Sequence, residues 1–535
     1  MHLIIIVIEQ NDLNKQTENY KLSLRKKKLS EFISNKRHLK KREENKNKSI
    51  YDININEINL PESKKKKTYL NSDNFLIEML NYLKSNNPEE ILFGVISLRN
   101  YFSPNEKLNS CYNLNIITDI IDCMDKNINN NSIIYNGIWI LINYCCLRDD
   151  NLLNHLLITP KCFRIYEKII LSNDMNLFYQ IIWLFYNITV KDDETSYDII
   201  SSSLFKDNII KLLDKNIFLI NVNEDNIYNS IIIETIHFLY NLIRANKKID
   251  DCVYELEISN MKLEIIKVLI KFLVINDEKS YGKILKAIVK FSDICQSSYS
   301  TKILTVSFVE NLIDKKKMFS NIEIIILINS IIGNFVAVND DNLIKNNEKT
   351  IDKILNLEYY ILSNYNETRV KIDCFWALSN IAISDQLFTE KIIKNKKIIE
   401  LTVKFLGEDN ERLEMKEILI FILNLLSGIE INSFIFLGEI GVFEKLFEIL
   451  LKFPGEETII SYVFKNFFVF LNNGELIREH TNNKNIVLEQ FNIKGGKEYL
   501  LKYQNSEKES LKRIVNAILD TFYQENDYIN IEMDN

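Results

Sequence analysis

Proline and glycine are scarce in this 535-residue chain, at 5 and 12 residues. So few backbone breakers exclude a turn-rich all-β fold and favour helices. The eight cysteines contain no C-x-x-C pair, which excludes the commonest zinc and redox motifs. They read as reduced, mostly buried thiols of an intracellular protein. The five histidines, His2, His38, His155, His237 and His480, stand apart, none beside a cysteine or acid at ligand spacing. No metal site is expected from them. A Gly-rich phosphate loop, G-x-S-x-G and H-E-x-x-H are all missing; no enzyme, no catalytic residue and no cofactor are expected. No stretch offers 18 uncharged apolar residues, and the opening MHLIIIVIEQND is too short to span a bilayer and lacks a basic flank. The expectation is a soluble chain with no membrane partner.

What the chain has is apolar bulk, at 46% hydrophobic residues, and an uneven charge. The formal net charge is -7, yet residues 1–70 carry 17 Lys/Arg against 9 Asp/Glu, leaving the rest strongly acidic. A basic arm on an acidic body suggests that the arm binds an acidic surface, in a partner or in this chain itself. Beyond about residue 71 the periodicity is helical. LIEMLNYLKS, IITDIIDCMD, IIKVLIKFLV and VFEKLFEILLKF place apolar residues at i, i+3, i+4 and i+7, and strand-like alternation is scarce. The fold class is all-α.

All 3 tryptophans are followed by asparagine at i+4: Trp139–Asn143, Trp183–Asn187 and Trp376–Asn380. That spacing puts a flat ring and a small amide on one helix face, one turn apart. Asparagine is common in this composition, so recurrence rather than any one residue carries the argument. Asn143 to Asn187 spans 44 residues, Asn380 to Asn424 spans 44, and Asn334 lies 46 before Asn380. Asn241 lies 54 after Asn187, with the polar insert NVNEDN absorbing the excess. A missing rung falls at KAIVKFSD, where Lys286 and Lys290 hold the two signature positions. A helical repeat of roughly 40 to 47 residues is in the armadillo/HEAT length class, which stacks into a groove-bearing solenoid.

Along nearly its whole length the chain resembles the importin-alpha family of adaptors for nuclear localisation signals. FWALSNIAISD resembles the family's tryptophan–asparagine helix, FLYNLIRANKK its fourth repeat and INSIIGNFVAVND its sixth. FLGEIGVFEKLFEILLK carries the family's turn glycine at Gly441, and IKGGKEYLLKYQ resembles the closing repeat, with Gly495 and Gly496. The arm LSLRKKKLSEFISNKRHLKKREE resembles the later part of the importin-beta-binding segment, through Arg25, Lys26, Lys27, Lys28, Lys36, Arg37, Lys40, Lys41 and Arg42. The resemblance implies a right-handed armadillo superhelix of about ten repeats over 71–525. It also implies a basic arm and linker over 1–70 (core 20–44), and an acidic tail over 526–535.

By the same resemblance, a major peptide site would use Trp139, Asn143, Trp183, Asn187, His237, Asn241 and Asp192. A minor site would use Asn334, Asp340, Asp373, Trp376, Asn380, Glu417 and Asn424. Side-chain amides can hold an extended backbone through both donor and acceptor. Indole faces would take the stems and charges of Lys or Arg, and acids at the edge would steer basic peptides. The implied partners are localisation-signal peptides of cargo, an importin-beta-type receptor on the arm and an export receptor on the C-terminal repeats. No direct nucleic-acid contact is implied, and the implied location is shuttling between cytoplasm and nucleus. The chain departs from the pattern at His237 and Ile420 (tryptophan positions), at Leu152 (a threonine) and at Lys191 (an aspartate, with Asp192 and Asp193 following). Either Lys40 to Arg42 or Lys64 to Lys67 could fall back into the groove as an internal competitor. An armadillo scaffold with no localisation-signal binding is the alternative reading.

Overall fold

The computed structural model describes residues 51, 53, 57–59, 73–102, 114–147, 157–172, 174–190, 193–202, 205, 209–210, 213, 226–245, 252–274, 277–295, 297–315, 321–338, 348–427, 429–481 and 484–523. Among them the regular structure is entirely helical. Helix starts follow from short polar caps. Asp174 accepts from the backbone N–H groups of Asn176 and Leu177, and Asn87 and Thr159 each precede a proline at the first helical position. Both devices satisfy or remove donors that a helix leaves unpaired.

The chain divides into two compact units, 1–261 and 262–535. In the first, the helices Pro88–Tyr101, Asn131–Leu147, Met175–Thr189 and Asn226–Arg244 pack side by side in chain order. A second layer is formed by Asp73–Leu83, Leu114–Lys126 and Pro160–Leu171. The second unit repeats the plan. Glu278–Ile294, Ile322–Val338, Thr368–Ser384, Arg412–Leu426, Glu457–Thr481 and Glu509–Phe522 form one layer, and Val306–Lys315, Glu348–Asn364, Lys396–Gly407 and Val442–Lys452 the other. Short helices such as Gln386–Lys394 and Ile431–Glu439 turn the chain between layers. Where such a short helix is described the repeat is a three-helix unit, and it buries much of its apolar surface against its neighbours.

The turn glycines sit where the sequence places them. Gly441 adopts φ 91° between Ile431–Glu439 and Val442–Lys452, a conformation that costs other residues strain. Gly495 does the same at φ 80°, and a Cβ on Gly496 would stand 2.4 Å from the Phe491 ring. Buried isoleucine, leucine and phenylalanine fill the space between layers. Cys123, Cys145, Cys162 and Cys374 are buried free thiols and Cys295 is half-buried. No described helix is long and apolar enough to cross a membrane. The arm, both lysine runs, Leu152, Lys191, Asp192, Asp340 and the tail 526–535 lie outside the described residues.

Candidate functional site

The signature residues all lie on one layer of each unit, the layer that begins at Pro88–Tyr101 in the first and at Glu278–Ile294 in the second, here called the ladder helices. The asparagine amides are not simply held out to a ligand. Asn241 donates from Nδ2 to Thr189 Oγ1 (3.3 Å), Asn334 to Ser292 Oγ (2.7 Å) and Asn380 to the Gly333 carbonyl (3.4 Å). Asn424 donates to Ser379 at both its carbonyl (3.3 Å) and its hydroxyl (2.6 Å). In every case the partner lies on the preceding ladder helix. An amide nitrogen carries two hydrogens and its oxygen two lone pairs. Tying one N–H to the neighbour fixes the carboxamide plane, and with it the direction of any further bond the amide makes. Asn143, Asn187, Asn334 and Asn380 are half-buried, while Asn241 and Asn424 are buried at 5% and 6% exposure.

The rings one turn earlier form walls, each with its own backing. Trp183 stacks on Tyr179 (centroids 5.9 Å), and Trp139 meets Tyr135 edge-on (5.6 Å). Arg99 from the preceding ladder helix places its guanidinium 4.8 Å from the Trp139 centroid. One face of that indole therefore already holds a cation of this chain. His237, at a tryptophan position, lies against Tyr186 (5.5 Å) with Nδ1 3.9 Å from the Glu234 carboxylate. Trp376 lies across Gly333, which leaves room for the ring only because it has no side chain. At the missing rung, Lys286 pairs with Glu323 at 3.0 Å.

A row of polar side chains runs seven residues before the rungs: Asn136, Gln180, Glu234, Asp373 and Glu417. Asn136 and Gln180 are fully buried, and Glu234, Asp373 and Glu417 are 6%, 7% and 5% exposed. Asp373 and Glu417 are thus set into the helix layer beneath the walls. Asp373 and Glu417 are expected from the sequence; Asn136, Gln180 and Glu234 share their seven-residue step, two turns of the same face, and were not expected. Arg99 carries no such signal. Arg244 donates to the Val190 carbonyl (3.1 Å) and faces Asp193 (3.7 Å), so Asp193 already has a cation of this chain beside it.

No protein-family model matches the chain, and no curated protein matches it. A solved structure described as showing that a conserved phosphorylation switch controls the interaction between cadherin and beta-catenin does match. Its chain has 12% identity and a TM-score of 0.57, covering 86% of this chain and 93% of that one. Beta-catenin is an armadillo-repeat protein, and at this identity the likeness is one of fold alone. A second match, an engineered protein at 16% identity, covers 48% of this chain and 97% of that one. Its TM-score of 0.40 is too low to carry an argument.

Proposed function

We propose that this chain is a protein-interaction scaffold of the armadillo kind, without enzymatic activity, that holds extended peptide segments along its ladder helices. The observation that carries the reading is the fixed carboxamide. An asparagine recurs on successive ladder helices with its plane set by a bond to the helix before. An extended peptide has a backbone N–H at every residue, and a row of pre-set acceptors matches that need without reading side chains. The all-helical repeat and its likeness in fold to beta-catenin support the same class.

The Trp–Asn pairs and the basic arm favour a finer reading within that class. This chain would be a nuclear import adaptor on an armadillo superhelix of about ten right-handed repeats, shuttling between cytoplasm and nucleus. Lys-rich localisation signals would lie on Trp139, Trp183 and Trp376, and residues 25–42 would engage an importin-beta-type receptor. Arg99 on Trp139 weakens the first of these slots for cations, which points to Trp183 as the main one.

The test is fluorescence anisotropy with a Lys-rich signal peptide and with a randomised extended-peptide pool. Comparison is made with the Asn143→Ala/Asn187→Ala and Asn380→Ala/Asn424→Ala chains. Binding of the Lys-rich peptide that drops about tenfold or more in a ladder variant, in line with losing about 1.4 kcal/mol, supports the import reading. Pool binding alone, lost in the same variants, supports the scaffold reading only. Binding of neither overturns both.

A further inference from the structure

One upstream residue of the chain already lies on the ladder helices. The ring of Tyr51, far upstream of the first ladder helix, lies 5.7 Å from that of Tyr135. Its hydroxyl donates to Asp174 Oδ2 and accepts from Asn131 Nδ2 at 3.1 Å. Its backbone carbonyl accepts from Asn136 Nδ2 at 3.4 Å. Ile58, a few residues on, is buried at 3% exposure.

Each of these groups is held in place by the fold. Asp174 caps the helix Met175–Thr189, so its Oδ1 is taken by the N–H groups of Asn176 (3.0 Å) and Leu177 (3.2 Å). The other oxygen is thereby aimed outward. Asn136 is fixed by Arg99 at Oδ1 (2.7 Å) and by its own bond to the Ser132 carbonyl (2.7 Å). One remaining N–H reaches the incoming backbone. The pocket asks for a hydroxyl that donates and accepts at once, at the end of a flat apolar ring. Serine is too short, phenylalanine leaves the Asp174 oxygen without its donor, and lysine offers nothing for Asn131 to donate to. Burial and the Asp174 carboxylate both push the Tyr51 hydroxyl up from its ordinary value, keeping the donor proton in place.

We propose that Asn131, Tyr135, Asn136 and Asp174 form a tyrosine-reading peptide subsite, and that Tyr51 is its intrachain occupant. The proposal rests on the reading of the ladder helices as a peptide-binding surface and adds the residue type that this end selects. A partner bearing tyrosine in an extended segment must displace Tyr51 to bind.

The test uses a fluorescent peptide of residues 46–59 added to the full-length wild type, Tyr51→Ala and Tyr51→Phe chains. The expected result is binding to Tyr51→Ala about tenfold tighter than to wild type, because a tethered occupant no longer competes. The peptide carrying phenylalanine at the tyrosine position should bind that chain about tenfold more weakly, having lost a charge-assisted hydrogen bond. A phosphotyrosine peptide should not bind, since its dianion would face Asp174. Equal binding by the tyrosine and phenylalanine peptides, or no gain in Tyr51→Ala, overturns the subsite. Loss of binding to Lys-rich and random peptides with this pattern intact would instead sink the wider reading and leave the subsite standing.

Discussion

Gly333 and the indole of Trp376 occupy the same space: a Cβ on Gly333 would lie 2.1 Å from Cζ3 of the ring. The two residues belong to successive ladder helices, so the wall residue of one repeat is seated on a bare backbone in the repeat before. Asn380 then closes the same junction by donating to the Gly333 carbonyl. Gly333→Ala should therefore unfold about 1 to 3 kcal/mol more easily, as overpacked sites do. The double change Gly333→Ala/Trp376→Leu should recover part of the loss. Urea denaturation of the three chains measures both.

Asn424 faces two oxygens of Ser379 with its amide nitrogen. Asn424→Asp replaces that donor by an acceptor of nearly the same shape. It should destabilise by about 1 to 3 kcal/mol and be worse than Asn424→Ala, which removes the donor without adding repulsion. The order of thermal midpoints decides it. An aspartate chain as stable as the alanine chain would mean that the amide faces the other way.

A buried ion pair joins the same two ladder helices. Lys371 Nζ lies 2.9 Å from Glu414, and both side chains are almost wholly covered. Lys371 also stands over the Phe405 ring at 4.6 Å. Burial raises the Glu414 carboxyl above the ordinary carboxylate range, with Lys371 pulling the other way. An acid raised in the folded chain takes up its proton before the unfolded chain does as pH falls. Its contribution is thus fully present below the unfolded value and lost as pH rises through the folded one. Lys371→Met removes the opposing cation and should cost about 3 to 5 kcal/mol at neutral pH. The loss should shrink on mild acidification. Lys371→Met/Glu414→Leu should recover most of it, and urea titrations at two pH values test both statements.

Thiol reactivity should follow burial. Burial pushes the Cys123 thiol up to about 11 and raises Cys162 and Cys374 as well. Among Cys123, Cys145, Cys162, Cys295 and Cys374, half-buried Cys295 should be alkylated first in the native protein. Peptide mapping after brief iodoacetamide treatment gives the order, and early labelling of Cys374 would contradict the packing around it.

Much of this was legible in the sequence, for a physical reason. Helical class follows from apolar spacing and scarce breakers, and both are local properties of the chain. The Trp–Asn step of four, the turn glycine at Gly441 and the pair Gly495–Gly496 are local as well. The rest depends on which repeat faces which. That Arg99 would cover Trp139, that Gly333 would receive Trp376, or that Asn334 would bond Ser292 rather than keep its whole amide for a ligand cannot be read from one helix. Gln180 and Glu234 were within reach, because they stand seven residues before Asn187 and Asn241, as Asp373 and Glu417 do before their own rungs. Tyr51 carried no periodic signal at all.

The amide ties also give the second unit a mechanical property. Because Asn380 and Asn424 are pinned to the helices before them, the spacing of neighbouring rungs follows the separation of neighbouring helices rather than side-chain freedom. Bending or tension that opens those helices would lengthen the Asn380–Gly333 and Asn424–Ser379 bonds first, and would at the same time carry the acceptors out of step with an extended strand. A segment lying across several rungs would therefore stiffen the stack against flexing. Load on the stack would weaken its hold on the segment, making grip and elasticity two readings of the same bonds.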